Sequence, residues 1–403
     1  MSTTRELFSL SLPEVDLPGE DLTADPAGAC DRLRAHGPLV RTVRGVEVLS
    51  YAMARAMCVD PALDSIGAGY YENLGASDPI MWWATEGSLP MIEGARHDRI
   101  RRVLHRAFTR RRISALTPEM TALARESVAR LPSDEPFDLV ERFSGRFPVA
   151  VLCSLLGVPG DDVELFRGWL MDLGLLAAIP LAPHTPVIDA AIEGLRAYLR
   201  DLIDRRRRHP SDDMVSALVQ ASGPEGRLTE SELEGALLNL LFAGHDTTRY
   251  QFASIVELVV EQGMWAQLRA ERDLIPAVVE ESMRLRPALH ILLRRATADV
   301  HHLGVDIPAG TLLAVNVFAA NRDPEAFPSP HRMDPRRDGV GRQLGFGHGA
   351  HLCLGHALAR AEMAIALAAF LDRFDAVELA ARPRFPEGFA SMHGPEELTL
   401  RGV

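Results

Sequence analysis

The sequence has 403 residues, 47% hydrophobic and 24% charged, with a formal net charge of −12. That balance describes a globular chain long enough for a sizeable core, and its acidic sign excludes general nucleic-acid binding, which needs a basic surface to displace phosphate counterions. No apolar run reaches the length of a membrane span and no basic-then-apolar leader opens the chain, so no membrane insertion is foreseen and the expected location is cytoplasmic.

From about Asp25 a helical stretch runs to Gly37, and LVRTVRGVEVLS then alternates as a hairpin turning at Arg44 and Gly45, a small β-rich part at about 38–50. Residues 66–91 are rich in glycine and aromatics without a clear period, which marks a lid or binding loop. Apolar periodicity predicts helices near 97–107, 116–131, 161–174, 187–208, 231–262 and 273–286. Residues 296–315 read as short strands around Pro308, Ala309 and Gly310, and 353–374 as a last long helix. No repeat or low-complexity linker divides the chain, so the expectation is one domain over 1–403, mainly α with small β-sheets. Cys30, Cys58, Cys153 and Cys353 stand far apart with no CxxC pair, which suggests neither a disulfide framework nor an iron–sulfur cluster.

Four groups of residues carry chemistry. In FGHGAHLCLGHALAR, Phe346 to Arg360, Gly347 and Gly349 suit a tight turn at positive φ, and Gly355 leaves room for a bulky group at the helix that follows. Cys353 at that helix start would be stabilised as a thiolate by unpaired N–H groups and the positive dipole end, as an iron ligand needs. On these residues alone a buried structural cysteine and a zinc site of His348, His351, Cys353 and His356 stay open. In LLNLLFAGHDTTRYQF, Leu237 to Phe252, Gly244 and a bond from Thr247 back to the Ala243 carbonyl invite the helix to open for a ligand or water. Asp246 and Thr247 pair an acid with an alcohol for proton relay, the alternative being a solvent-facing polar patch.

The third group is EESMRLRP, where Glu281 and Arg284 at i,i+3 share a helix face, and a loop arginine after Asp334-Pro335 would complete a lock. The fourth is GARHDRIRRVLHRAFTRRRI, with eight arginines against one aspartate. His97 and Arg101, one turn apart, can aim at a common anion, while Arg102, Arg106, Arg110, Arg111 and Arg112 face elsewhere, as a solvated face or a dock for an acidic partner.

With these motifs in this order, the sequence resembles the bacterial cytochromes P450, haem-thiolate monooxygenases, over nearly its whole length. Phe346 to Gly355 matches the family's cysteine-ligand loop, Ala243 to Thr248 its oxygen-activation motif and Glu281 to Arg284 its Glu-x-x-Arg; Met333 departs from a common phenylalanine. The resemblance implies the cytochrome P450 fold and haem b, with Cys353 as the metal ligand and Phe346 and Gly355 in the cofactor loop. It further implies that His97, Arg101, Arg294 and His351 meet the haem propionates, that Asp246 and Thr247 relay protons to O2, and that Arg337 completes the structural triad with Glu281 and Arg284. By the same resemblance Trp82, Trp83, Asn239, Phe242, Ala243, His290, Ile291 and Phe389 line a pocket for a hydrophobic small-molecule substrate, with Asn239 and His290 orienting a polar group. The basic helix becomes a docking face for an acidic ferredoxin or flavodoxin with its reductase, since no reductase segment follows Val403. The expected reaction is insertion of one oxygen atom. Epoxidation, desaturation and oxidative coupling are the enzymatic alternatives, and a haem-binding sensor is disfavoured by the Asp246–Thr247 pair.

Overall fold

The alternation in LVRTVRGVEVLS becomes two antiparallel strands, Leu39–Thr42 and Gly45–Val48, in register from Leu39 opposite Val48 to Thr42 opposite Gly45. The computed structural model describes residues 12–15, 25–42, 45–178, 180–222, 228–386 and 391–403, so the turn expected at Arg44 lies outside the described residues. By its internal contacts the chain divides into two compact units.

The first unit holds residues 1–66, 276–353 and 385–394. Its sheet has five strands in the order Leu39–Thr42, Gly45–Val48, Leu312–Asn316, Ile291–Ala296 and Leu63–Ser65, antiparallel except where Gly45–Val48 runs beside Leu312–Asn316. Val46, Val48, Leu313 and Val315 are fully buried and share one core with Met53 and Met57 of the Tyr51–Met57 helix. The short strands expected around Pro308, Ala309 and Gly310 are present, Val305–Ile307 before them and Leu312–Asn316 after. Val300–His302 pairs with Val305–Ile307 in a hairpin whose turn is Leu303-Gly304, both at positive φ (48° and 84°). Leucine is a poor residue for that conformation, so the turn escapes sequence reading.

The second unit holds residues 67–275, 354–384 and 395–403, and is mostly helix. Helices stand at Gly94–Ala107, Arg110–Ala129, Val163–Gly174, Thr185–Arg208, Glu230–Glu261 and His356–Arg373, near the predicted spans. Phe137, Phe143, Phe147, Phe252, Phe370 and Phe374 form a contiguous aromatic cluster in its core. Sequence reading missed the Phe147–Leu156 helix, which is buried nearly all round and so shows no polar stripe to reveal a 3.6-residue period. The 66–91 segment is less irregular than expected: Gly69–Asn73, Asp78–Trp82, Trp83–Gly87 and Leu89–Met91 are short helical pieces, each too brief to display a period. A Cβ on Gly235 would stand 2.5 Å from the Glu86 carbonyl oxygen, so glycine there is what lets this segment lie on the long Glu230–Glu261 helix. Among the described residues no helix is long and apolar enough to cross a membrane.

Candidate functional site

In the first unit, Gly347 and Gly349 take φ of 71° and 74°, and a Cβ on Gly349 would lie 2.3 Å from the Cys58 carbonyl oxygen. Conformation and space both demand glycine there. The bend brings the Cys353 N–H to the Phe346 carbonyl at 2.8 Å. The helix expected to start at Cys353 starts three residues later, with Gly355 as the cap and His356 the first helical residue, so Cys353 stands just ahead of it. Phe346, Leu352 and Cys353 are only half-buried despite their apolar character. Cys30, Cys58 and Cys153 are buried, and desolvation raises all three thiols, Cys153 to about 12. Cys353 is therefore the one cysteine that is not buried. In the same unit Arg294 is buried, with Nη1 donating to the Leu293 carbonyl at 2.9 Å, and His351 is half-buried.

This donor set fits haem. It offers one cysteine that is not buried, cationic side chains for carboxylates, and a Gly355 whose φ of −83° any residue could adopt and whose Cβ position has nothing within 4 Å. Among the described residues no group of three or more His, Cys, Asp or Glu is placed to hold a metal ion, so the zinc alternative lacks a site.

The Glu281 carboxylate, fully buried, accepts from Arg284 Nε and Nη2 at 2.9 and 2.8 Å, from Arg337 Nε at 2.8 Å and from the Asp334 N–H at 3.0 Å. Arg284 also donates to the carbonyls of Asn321, Pro330 and Arg332, and Arg337 to those of Pro328, Ser329 and Arg332. Three charges thus pin the irregular segment that leads into the cysteine loop.

In the second unit the Glu230–Glu261 helix is buried from Glu232 to Val259 except at Leu240, Phe242, Ala243, Gly244 and Thr247. Leu240, Ala243 and Thr247, spaced by three and four, share one face. Thr247 Oγ1 donates to the Ala243 carbonyl at 2.8 Å, yet the helix stays regular where sequence reading expected it to open. Gly244 serves close packing instead, since a Cβ there would meet Leu152 Cδ2 at 2.9 Å. Asp246 and Asn239 are buried at the edge of the open stripe, while Leu240, which sequence reading missed, lies on it. Its position follows from stepping one turn back from Ala243.

The basic Gly94–Ala107 helix divides its charges in a way the sequence did not reveal. His97 is buried and Arg101 half-buried, but Arg96 and Arg99 turn to Glu232, with Arg99 Nη1 and Nη2 at 2.8 and 2.6 Å and Arg96 Nε at 3.1 Å. Hydrogen bonds from Arg99 hold the Glu232 carboxyl down at about 2, against an ordinary 4.5. A depressed folded value means stability that is present above 4.5 and disappears as pH falls toward about 2. Glu232→Gln should cost about 2 kcal/mol at neutral pH, and thermal midpoints of parent and variant should converge across that acid window. Arg102, Arg106, Arg110 and Arg111 are exposed. Arg112 is half-exposed and inclines toward Asp212, Nη2 to Oδ1 at 3.8 Å.

The expected pocket residues fare unevenly. Trp83 is buried edge-on between Tyr71 and the half-open Phe242, at centroid distances of 5.5 and 5.3 Å. Trp82 is committed elsewhere, under the Arg196 guanidinium at 3.7 Å and with its indole N–H donating to Ser231 Oγ at 2.9 Å. In the first unit His290 lies between Phe318 and His393, both at 4.7 Å, stacked on the histidine and tilted to the phenylalanine, and Ile291 is buried at the start of an inner strand; Leu289 and Leu292 are the more open side chains of that stretch. Burial drives His393 down to about 4, which keeps it neutral at neutral pH. Phe389 lies outside the described residues.

A family model described as Cytochrome P450 matches residues 169–399. The mycinamicin IV hydroxylase/epoxidase of Micromonospora griseorubida is 38% identical over 322 residues, which cover 78% of this chain and 80% of that protein. Cyclomarin C epoxidase CymV of Salinispora arenicola is 35% identical over 374 residues, 91% of this chain and 93% of its own. Among solved structures, the enzyme CxnD for C–S bond formation in chuangxinmycin biosynthesis has a TM-score of 0.85 at 27% identity, with 97% of each chain covered.

Proposed function

The chain belongs to the cytochrome P450 family, and we propose on that premise which of its residues carry the reaction and what kind of molecule it acts on. It is a haem-thiolate monooxygenase that uses haem b and O2. The observation that supports the assignment of residues most directly is the open stripe Leu240, Ala243 and Thr247 on a helix that, from Glu232 to Val259, is otherwise open only at Phe242 and Gly244. Haem bound through the Cys353 thiolate supplies the oxygen activation, in which two electrons and two protons are taken up, one oxygen atom enters the substrate and the other leaves as water.

The protein's own groups hold and orient. We read His97, Arg101, Arg294 and His351 as partners of the propionates through charge-assisted hydrogen bonds, and Phe346 and Gly355 as the residues that give the ring room. Thr247 would hold a proton donor at the open stripe, with Asp246 replenishing it. Glu281, Arg284 and Arg337 keep the cysteine loop in place. Phe242, Ala243 and Leu240, with Trp83 behind Phe242, make an apolar wall that suits a hydrophobic small molecule, and the relatives acting on mycinamicin IV and cyclomarin C support a natural product of that kind. Hydroxylation is the proposed outcome. Epoxidation is the second reading, favoured by the names of those same relatives.

Thr247→Ala should keep the haem and its spectrum but release peroxide in place of product, lowering product formed per electron pair about tenfold or more. Unchanged coupling would remove Thr247 from the relay. The substrate class is testable by the shift from low to high spin on adding mycinamicin IV, cyclomarin C and smaller apolar compounds. Electrons would come from a separate acidic ferredoxin or flavodoxin with its reductase, in the cytoplasm, docking on Arg102, Arg106, Arg110 and Arg111. Arg106→Glu with Arg111→Glu should slow reduction by a ferredoxin several-fold and flatten its dependence on salt. An unaltered salt dependence would place the docking face elsewhere.

A further inference from the structure

Asp246 and Thr247 are neighbours in sequence, but a helix turns about 100° per residue, so their side chains leave it in different directions. Thr247 lies on the open stripe, whereas Asp246 is buried. Its Oδ1 accepts from Arg249 Nε at 3.2 Å and lies 3.0 Å from Nη2, with His245 Nδ1 3.4 Å away. Arg249 is itself only 8% exposed, and its guanidinium carbon sits 4.2 Å from the Tyr250 ring centre. Oδ2 occupies a recess at the end of the Val163–Gly174 helix, where a Cβ on Gly174 would stand 2.8 Å from it. Gly174 has ordinary helical dihedrals, φ −56° and ψ −27°, so its backbone does not require glycine. An added methyl there would push the carboxylate aside. Two features from different helices, a buried cation and the room left by a missing side chain, therefore set where the Asp246 carboxylate lies at the edge of the open stripe.

We propose that Arg249 is a positioning residue for Asp246: it parks the relay carboxylate in the Gly174 recess, from which protons reach the Thr247 stripe by a swing of the side chain or through water. The proposal rests on the reading of Asp246 as a proton carrier. Removing the guanidinium leaves a buried carboxylate without its charge partner, and such a group no longer keeps a single position. Gly174→Ala displaces the same carboxylate without altering any charge.

The test uses the full haem-loaded chain with no added substrate, a plant ferredoxin, its reductase and NADPH, and reads how electrons divide between peroxide and water. Arg249→Gln should raise the peroxide share about threefold or more, with Arg249→Lys restoring much of the parent division. Gly174→Ala should shift it the same way while the thermal midpoint stays near that of the parent. Added to Asp246→Asn, Arg249→Gln should raise peroxide no further, and the thermal midpoints of the two changes should be non-additive. A parent-like division in both Arg249→Gln and Gly174→Ala overturns the tether, as does an equal rise in the Asp246→Asn background. If Asp246→Asn alone divides electrons as the parent does, the relay reading itself fails, and the tether with it.

Discussion

Replacing Cys353 with alanine should abolish the red-shifted Soret band of the reduced, carbon monoxide-treated protein. The band reports a thiolate ligand, and no other cysteine can stand in, because Cys30, Cys58 and Cys153 are buried and desolvation holds their thiols in the protonated form. His348 and His351 precede the position in the same loop and are half-buried, so a band at the ordinary, unshifted wavelength is the expected residue of haem held by nitrogen. Monooxygenase turnover should fall below detection in the same protein. A red-shifted band that survives in Cys353→Ala would falsify the ligand assignment, whatever the haem content.

Glu281→Gln should be the most destabilising single change. The parent carboxylate satisfies two arginines and a backbone N–H, with the Arg284 side chain 0% exposed and that of Arg337 7% exposed. Glutamine keeps the volume but removes the charge, leaving two buried guanidinium groups with carbonyl partners only. Breaking one partner of a buried ion pair costs about 3–5 kcal/mol, far above the worth of an exposed pair. Loss should show as a lower denaturant midpoint and as reduced haem content, because the 328–337 segment that these arginines grip leads into the cysteine loop. A midpoint change below about 1 kcal/mol would mean that the segment holds itself.

Motifs read well from sequence wherever the interacting residues are close in the chain. Glu281 and Arg284 lie three apart on one helix, and Phe346 to Cys353 closes a loop through glycines that local geometry demands. The Thr247 hydroxyl found the Ala243 carbonyl because four residues span one turn. What such reading got wrong was the consequence, since Gly244 serves packing against Leu152 and the helix does not open. The Leu303-Gly304 turn and the Phe147–Leu156 helix were hidden for a different reason: one uses an unfavoured residue and the other has no polar face.

The sequence by itself determined the family, the iron ligand proposed at Cys353, the acid–alcohol pair and the approximate helix spans, because each depends on residue type at short spacing. Only the tertiary structure decided which arginines remain exposed and which are bound. Arg96 and Arg99 meet a glutamate more than 130 positions away, and no short-range pattern separates them from Arg102 and Arg106 on the same helix. It also decided which face of the Glu230–Glu261 helix is open, since that helix is largely apolar around its circumference and only the neighbours packed on it single out Leu240, Ala243 and Thr247. Burial is a property of what approaches a side chain from elsewhere in the chain, and so Asp246, one residue from Thr247, is buried with its carboxylate in the space left by Gly174, more than 70 positions away.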